Sequence, residues 1–177
     1  MKFNSKKLDD RERIGRMTST GISLVPRRHI KHKLRGRSQT DNTQKSMSRH
    51  GNLIGHGLDV VDVAEFSRLL RLPACAFLDR YFTESELFAA GEGVTRTERL
   101  AGRFAIKEAV LKALCIGWGD GVSFTDVEVI THTTGAPSVV LHRKLEDLQR
   151  ERHIAGWLVS SSHTDVVAVG SAIAFGM

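Results

Sequence analysis

The chain has 177 residues, 41% of them hydrophobic, with a formal net charge of +6. That length holds one domain, or one domain and a tail, and it contains no run of eighteen apolar residues from which to build a membrane-crossing helix. The charge is unevenly placed: residues 1–50 carry 14 Lys/Arg against 4 Asp/Glu, and residues 51–177 carry 12 against 16, so the basicity belongs to the first fifty residues and the remainder is mildly acidic.

Residues 1–50 are poor in folding material. Their one apolar cluster, 22–25, is cut off by Pro26, and the basic run RRHIKHKLRGR (27–37) leads into a polar stretch. Such a composition cannot bury enough surface to offset the entropy of ordering it. We read 1–50 as a basic, disordered N-terminal extension that activity does not need, and 51–177 as the folded domain. No secretory h-region is present. Three readings of the extension stand side by side: an arm for nucleic acid or anionic lipid, a segment upstream of a start near Met47, and a transit peptide, against which Asp9, Asp10 and Glu12 count. Cys75 and Cys115 lie in apolar contexts without zinc-ligand spacing. They read as buried, reduced thiols of a cytoplasmic protein.

LIGHGLDVV (53–61) reads as a strand. Alternation puts Ile54, Leu58 and Val60 on one face and Gly55, Gly57 and Asp59 on the other. Glycine weakens a strand and often marks close approach by a ligand or another backbone, so Asp59 is either a site residue or a solvated edge carboxylate. Asp62-Val-Ala-Glu65 has the form of a capping box, opening a helix through Leu70 that Pro73 ends. A short helix over 74–82 turns Phe77, Leu78 and Tyr81 inward and Arg80 outward. Thr83-Glu-Ser-Glu86 is a second capping box, for a helix to Ala90. Thr95-Arg-Thr-Glu98 is a third, starting the longest helix near Arg96.

That helix carries LAGRFAIKEAVLKALCI (100–116), with Leu100, Phe104, Leu111 and Leu114 at helical spacing and Ala101, Ala105 and Ala109 on a neighbouring stripe. Gly117 and Gly119 are placed to stop it. A turn at 119–121 leads to a strand over 126–131, a turn over 133–137, and a returning strand over 138–141. A polar helix spans 144–152, and strands follow at 157–163 and 166–175. The last strand has one face of Val167, Val169, Ile173 and Phe175, and a small face of Ala168, Gly170, Ala172 and Ala174. The small face suits close packing on the alanine stripe of the long helix. The order predicts an α+β domain, an antiparallel sheet packed against a long central helix.

On the long helix, Arg103 and Lys107 are four apart, and so are Glu108 and Lys112. Each pair shares a face, which is equally the pattern of a surface salt bridge and of a carboxylate with cations for a metal and phosphates. Four pieces decide it together: GLDVVDV (57–63), FLDRYFTESE (77–86), AGRFAIKEAVLKAL (101–114) and SSSHT (160–164). In this order and at these separations the chain resembles the bacterial holo-[acyl-carrier-protein] synthases, the short 4'-phosphopantetheinyl transferases, over about residues 53–175.

The resemblance implies a fold of the phosphopantetheinyl transferase type. It also implies an activity in fatty-acid biosynthesis: transfer of the phosphopantetheine arm of coenzyme A to a serine of apo acyl carrier protein, with release of adenosine 3',5'-bisphosphate. It implies a magnesium ion held by Asp59 and Glu108, with Lys112 on the same phosphates as a third catalytic group. Coenzyme A is expected on Arg103, Lys112, Pro137, His163 and Thr164. The resemblance further implies a homotrimer, the family's usual assembly, with each site split across a subunit interface. One departure is visible: the first helix carries Glu65 where the family often has a basic residue, which leaves Arg68, Arg71 and Arg80 to dock an acidic carrier protein. The alternative is a non-enzymatic oligomer that binds nucleic acid through its basic arm, a reading that rests on residues 1–50 alone.

Overall fold

The computed structural model describes residues 52–71, 75–117 and 121–177. In chain order they form β1 (Leu53–Asp62), α1 (Val63–Leu70), α2 (Cys75–Tyr81), α3 (Glu84–Ala90), α4 (Arg96–Ala113), a 3-10 turn (Phe124–Asp126), β2 (Val127–Thr131), β3 (Pro137–Leu141), α5 (Lys144–Glu151), β4 (Gly156–His163) and β5 (Val167–Phe175). The extension over 1–50, the stop at Pro73 and the glycine at 119 lie outside the described residues. All pairings among these strands are antiparallel, in keeping with the α+β class. The strands divide into a three-stranded sheet in the order β1-β5-β4 and the separate β2–β3 hairpin.

The helix α4 is the pillar between these layers. Eighteen residues at ~1.5 Å each give about 27 Å, and every residue from Leu100 to Leu111 is buried. One side lies under the three-stranded sheet at very close range. A Cβ added at Gly57 would fall 1.9 Å from the Ala109 carbonyl oxygen, and one at Gly170 would fall 2.3 Å from the Ala105 carbonyl carbon. No side chain fits at those spacings, so the glycines and the small face of β5 are what allow the sheet to rest on the alanine stripe. The opposite side of α4 packs on aromatic rings: Phe104 stacks on Phe124 with centroids 5.2 Å apart and meets Phe66 at 5.6 Å. Phe66, Phe82 and Phe104 are fully buried, each stabilising the fold by ~1.5–3 kcal/mol.

The caps divide. At Thr83 both bonds of the capping box form, and Asp62 Oδ1 accepts from the Glu65 N–H at 2.8 Å. The box expected at Thr95 does not form. Its backbone (φ −91°, ψ 7°) is not extended, and its side chain makes no cap bond, because the chain enters α4 from a turn in which the Arg96 N–H bonds to Gly93 O. The C-terminus also differs from expectation. α4 stops before Gly117, in a Schellman arrangement: Cys115 N–H bonds to Lys112 O and Ile116 N–H to Leu111 O. Cys115 takes the left-handed residue of that motif, at φ 51°. This position turns its side chain to solvent, so Cys115 is exposed and not the buried thiol expected.

The face of the three-stranded sheet turned away from α4 is apolar and largely uncovered. Leu58 is 52% exposed and Leu158 is 62% exposed; Leu58 alternates with the buried Gly57 and Asp59, and Leu158 with the half-buried Trp157 and Val159. None of the described helices is long and apolar enough to cross a membrane.

Candidate active site

Asp59 lies on the face of β1 that meets α4, in line with Gly57 and Val61. It is 1% exposed. Its Oδ1 accepts a hydrogen bond from Lys112 Nζ at 2.7 Å, and its Oδ2 has no hydrogen-bond partner. β1 runs back along α4, with Gly55 over Ala113 and Gly57 over Ala109. Two residues further, Asp59 is therefore carried toward the turn that holds Glu108. Glu108 is itself buried and stands one helical turn before Lys112. Burial pushes the Asp59 carboxyl above its ordinary range, while Lys112 and the backbone N–H of Val60 pull the other way.

Arg103 occupies the other flank of α4. At 100° per residue it stands roughly 140° from Glu108 and roughly 180° from Lys112 around the helix axis. It lines a cleft with Arg99 of the same helix, Thr131 of β2, Pro137 at the start of β3, and Ser161 and His163 of β4. Arg103 is 7% exposed, not a surface arginine. Its Nη1 donates to Arg99 O at 3.0 Å and its Nη2 to Thr131 Oγ1 at 2.9 Å, which leaves Nε without a partner. Burial pushes its pKa down and Arg99 adds to that, against the attraction of Glu86. An arginine nevertheless stays charged.

Of the residues singled out in the sequence, the cleft thus gathers Arg103, Pro137 and His163, and the opposite flank holds Asp59 and Lys112. Thr164 lines neither. Its hydroxyl accepts from the N–H groups of Val166 and Val167 and closes the β4–β5 turn. Glu98 and Arg99, which also face the cleft, were not foreseen. Glu98 looked like a capping residue, and the one available signal for Arg99 was its position four before Arg103. Lys107 is walled off from both flanks: fully buried, it bonds to Glu86 Oε2 at 2.7 Å and to Phe124 O at 3.0 Å.

The sheet register relates the two flanks. Asp59 pairs with Gly170, and Gly170 pairs with Ser161. Asp59 and Ser161 therefore stand in one row, two strand spacings or about 10 Å apart, with α4 seated on Gly170 between them. One chain thus carries Asp59 and Lys112 on one side of its central helix and the Arg103 cleft on the other.

Residues 55–167 match the profile of the 4'-phosphopantetheinyl transferase superfamily. A holo-[acyl-carrier-protein] synthase from Geobacter sp. (strain M21) is 36% identical over 121 residues, which are 68% of this chain and 97% of the relative. The crystal structure of the Helicobacter pylori holo-[acyl-carrier-protein] synthase in complex with coenzyme A is 27% identical, with a TM-score of 0.60 over 67% of this chain and 98% of that one. A holo-(acyl-carrier-protein) synthase from Bacillus anthracis, in complex with CoA (3',5'-ADP), is 30% identical, with a TM-score of 0.59 over 71% of this chain and 98% of that one. The profile match leaves aside residues 1–50, on which the nucleic-acid alternative rests. With a profile match over more than half of its length, relatives of this similarity and solved structures of the same fold, the chain belongs to the 4'-phosphopantetheinyl transferase superfamily, among the holo-[acyl-carrier-protein] synthases.

Proposed function

We propose that this chain transfers the 4'-phosphopantetheine arm of coenzyme A to a serine of apo acyl carrier protein, in the service of fatty-acid biosynthesis, and releases adenosine 3',5'-bisphosphate. One observation carries the reading. Among the described residues, the buried side-chain polar atoms without a hydrogen-bond partner are Asp59 Oδ2, Glu98 Oε2, Arg99 Nε and Arg103 Nε, and all four belong to these two flanks, which we read as the two half-sites. Buried polar groups are otherwise satisfied. The carboxylate oxygen of Asp59 on one flank suits a cation, and the two guanidinium nitrogens on the other, which outweigh the Glu98 carboxylate beside them in charge, suit a phosphorylated nucleotide.

The donors fit magnesium. Among the described residues no three His, Cys, Asp or Glu gather into a metal cluster, and magnesium requires none, since it is held by one or two carboxylates with phosphate oxygens and waters. Asp59 and Glu108 would hold it. When bound, such an ion polarises the β-phosphate and neutralises charge on the leaving phosphate. The chain's own groups do the rest. Lys112, fixed beside Asp59, lends a positive charge to the diphosphate, and Arg103 and His163 hold the nucleotide end. The serine Oγ forms its bond to the β-phosphorus and gives up its proton to solvent water. The bond from that phosphorus to the bridging oxygen breaks, and adenosine 3',5'-bisphosphate departs with the electron pair.

The placement of α4 between the flanks supports a site in which a neighbouring copy supplies the second half. The apolar outer face of the three-stranded sheet, with Leu58, Val60 and Leu158 exposed, supports the homotrimer as the assembly. Arg68, Arg71 and Arg80 are exposed and form the patch for the acidic carrier protein. Raising ionic strength from low to physiological is then expected to increase the KM for carrier protein more than the KM for coenzyme A. Equal increases in steady-state assays would remove the docking assignment.

The activity itself is tested by incubating the chain with coenzyme A, magnesium and apo acyl carrier protein and weighing the carrier by mass spectrometry. A gain of one phosphopantetheine, lost when the target serine is changed to alanine, is expected. An unmodified carrier would refute the proposal.

A further inference from the structure

Glu86 belongs to the FLDRYFTESE segment, yet it faces neither half-site. It is fully buried and its carboxylate is a junction. Oε2 accepts from Lys107 Nζ at 2.7 Å and from the Thr83 N–H at 2.8 Å, and Oε1 accepts from the Val129 N–H at 3.0 Å. Lys107 Nζ adds a bond to Phe124 O at 3.0 Å and lies 5.4 Å from the centroid of the Phe82 ring. Four segments meet there: the start of α3, the middle of α4, the 3-10 turn and β2.

A buried ion pair is weak evidence for stability, since well-packed apolar residues usually do as well. What this one does is fix distances. Val129 and Thr131 lie on one face of β2 and both face the cleft. Lys107 stands one helical turn after Arg103. Glu86 therefore joins the strand that carries Thr131 to the helix that carries Arg103, one step from the bond between those two residues. The hairpin that brings Pro137 to the cleft begins on that same strand.

We propose that Glu86, acting through Lys107 and the Val129 amide, is a positioning residue that sets the width of the Arg103–Pro137–His163 cleft and so the affinity for the nucleotide end of coenzyme A. The proposal rests on the reading of that cleft given above. Its substrate is untouched by Glu86, so the effect is on binding of one substrate and not on the fold as such.

The test uses the double variant Glu86→Gln/Lys107→Met, which removes both charges of this pair together and keeps an acceptor for the Val129 N–H. It is expected to stay folded, to raise the KM for coenzyme A and the Kd for adenosine 3',5'-bisphosphate by about tenfold or more, and to leave the KM for carrier protein unchanged. A folded variant with wild-type affinity for the nucleotide would overturn the proposal. A second measurement needs no variant. On binding adenosine 3',5'-bisphosphate, the wild-type chain is expected to gain amide-exchange protection at Val129 and Thr83 beyond the gain at amides remote from the cleft, such as that of Ile154. A uniform gain would also overturn the proposal. A wild-type chain that binds no nucleotide at all would instead sink the functional reading, and this role with it.

Discussion

Asp59→Asn is expected to abolish transfer while leaving the fold as stable as before, or more so. The side chain keeps its shape and keeps an oxygen that accepts from Lys112, but it loses the negative charge that holds a hard cation. Turnover is expected to fall by about a hundredfold or more, ~2.7 kcal/mol of transition-state stabilisation, and Glu108→Ala is expected to do likewise. The stability half of the prediction follows from burial. The Asp59 carboxyl is pushed above its ordinary value of 3.8, with desolvation outweighing Lys112. A carboxyl with a higher pKa in the folded chain than in the unfolded one binds its proton more tightly when folded. Its stabilising contribution is complete below the unfolded pKa and is lost as pH rises through the folded one. At neutral pH the bare carboxylate opposes folding, and asparagine removes that opposition. Metal-free Asp59→Asn is therefore expected to melt at or above the wild-type temperature at pH 7, with the difference shrinking as pH falls toward about 4. Thermal melts at several pH values, beside steady-state rates in magnesium, check both halves. A variant that loses activity only because it unfolds would contradict the assignment, as would near-wild-type turnover.

Much of this arrangement could be read from the chain because it rests on local rules. The glycines beside Asp59 and the small face of β5 signalled close contact with a helix, and Gly57 and Gly170 do lie against the backbone of α4. The capping box at Thr83 announced itself through two residues three apart and forms as expected. What failed depended on how segments arrive. Thr95 and Glu98 have the letters of a cap, yet the preceding turn sets the Thr95 backbone where its hydroxyl cannot reach, and Glu98 goes to the cleft instead. Cys115 follows an apolar run, but the helix ends at Ala113 and the left-handed turn faces it outward. The role of Glu86 was hidden for the same reason: its partners Lys107 and Val129 are 21 and 43 residues away, and no periodicity links them. A split site was implied by the family resemblance alone; that Asp59 and the Arg103 cleft fall on opposite sides of α4 depends on which strand pairs with which across Gly170, and no local pattern shows that.

The division leads to the second expectation. Asp59→Asn and Arg103→Ala damage opposite flanks of α4. If each working site takes its carboxylates from one copy and its nucleotide cleft from the next, two inactive proteins contain between them all the parts of an active one. Purified separately, each is expected to be nearly inactive at low coenzyme A. Unfolded together and refolded so that subunits mix at random, they are expected to recover activity, because roughly a quarter of the junctions then pair an intact Asp59 flank with an intact Arg103 cleft. The decisive measurement is the rate of carrier-protein modification by that co-refolded mixture. A rate near a quarter of wild type is the expected result. A mixture as inactive as its two components would show that the half-sites do not meet across copies of this chain.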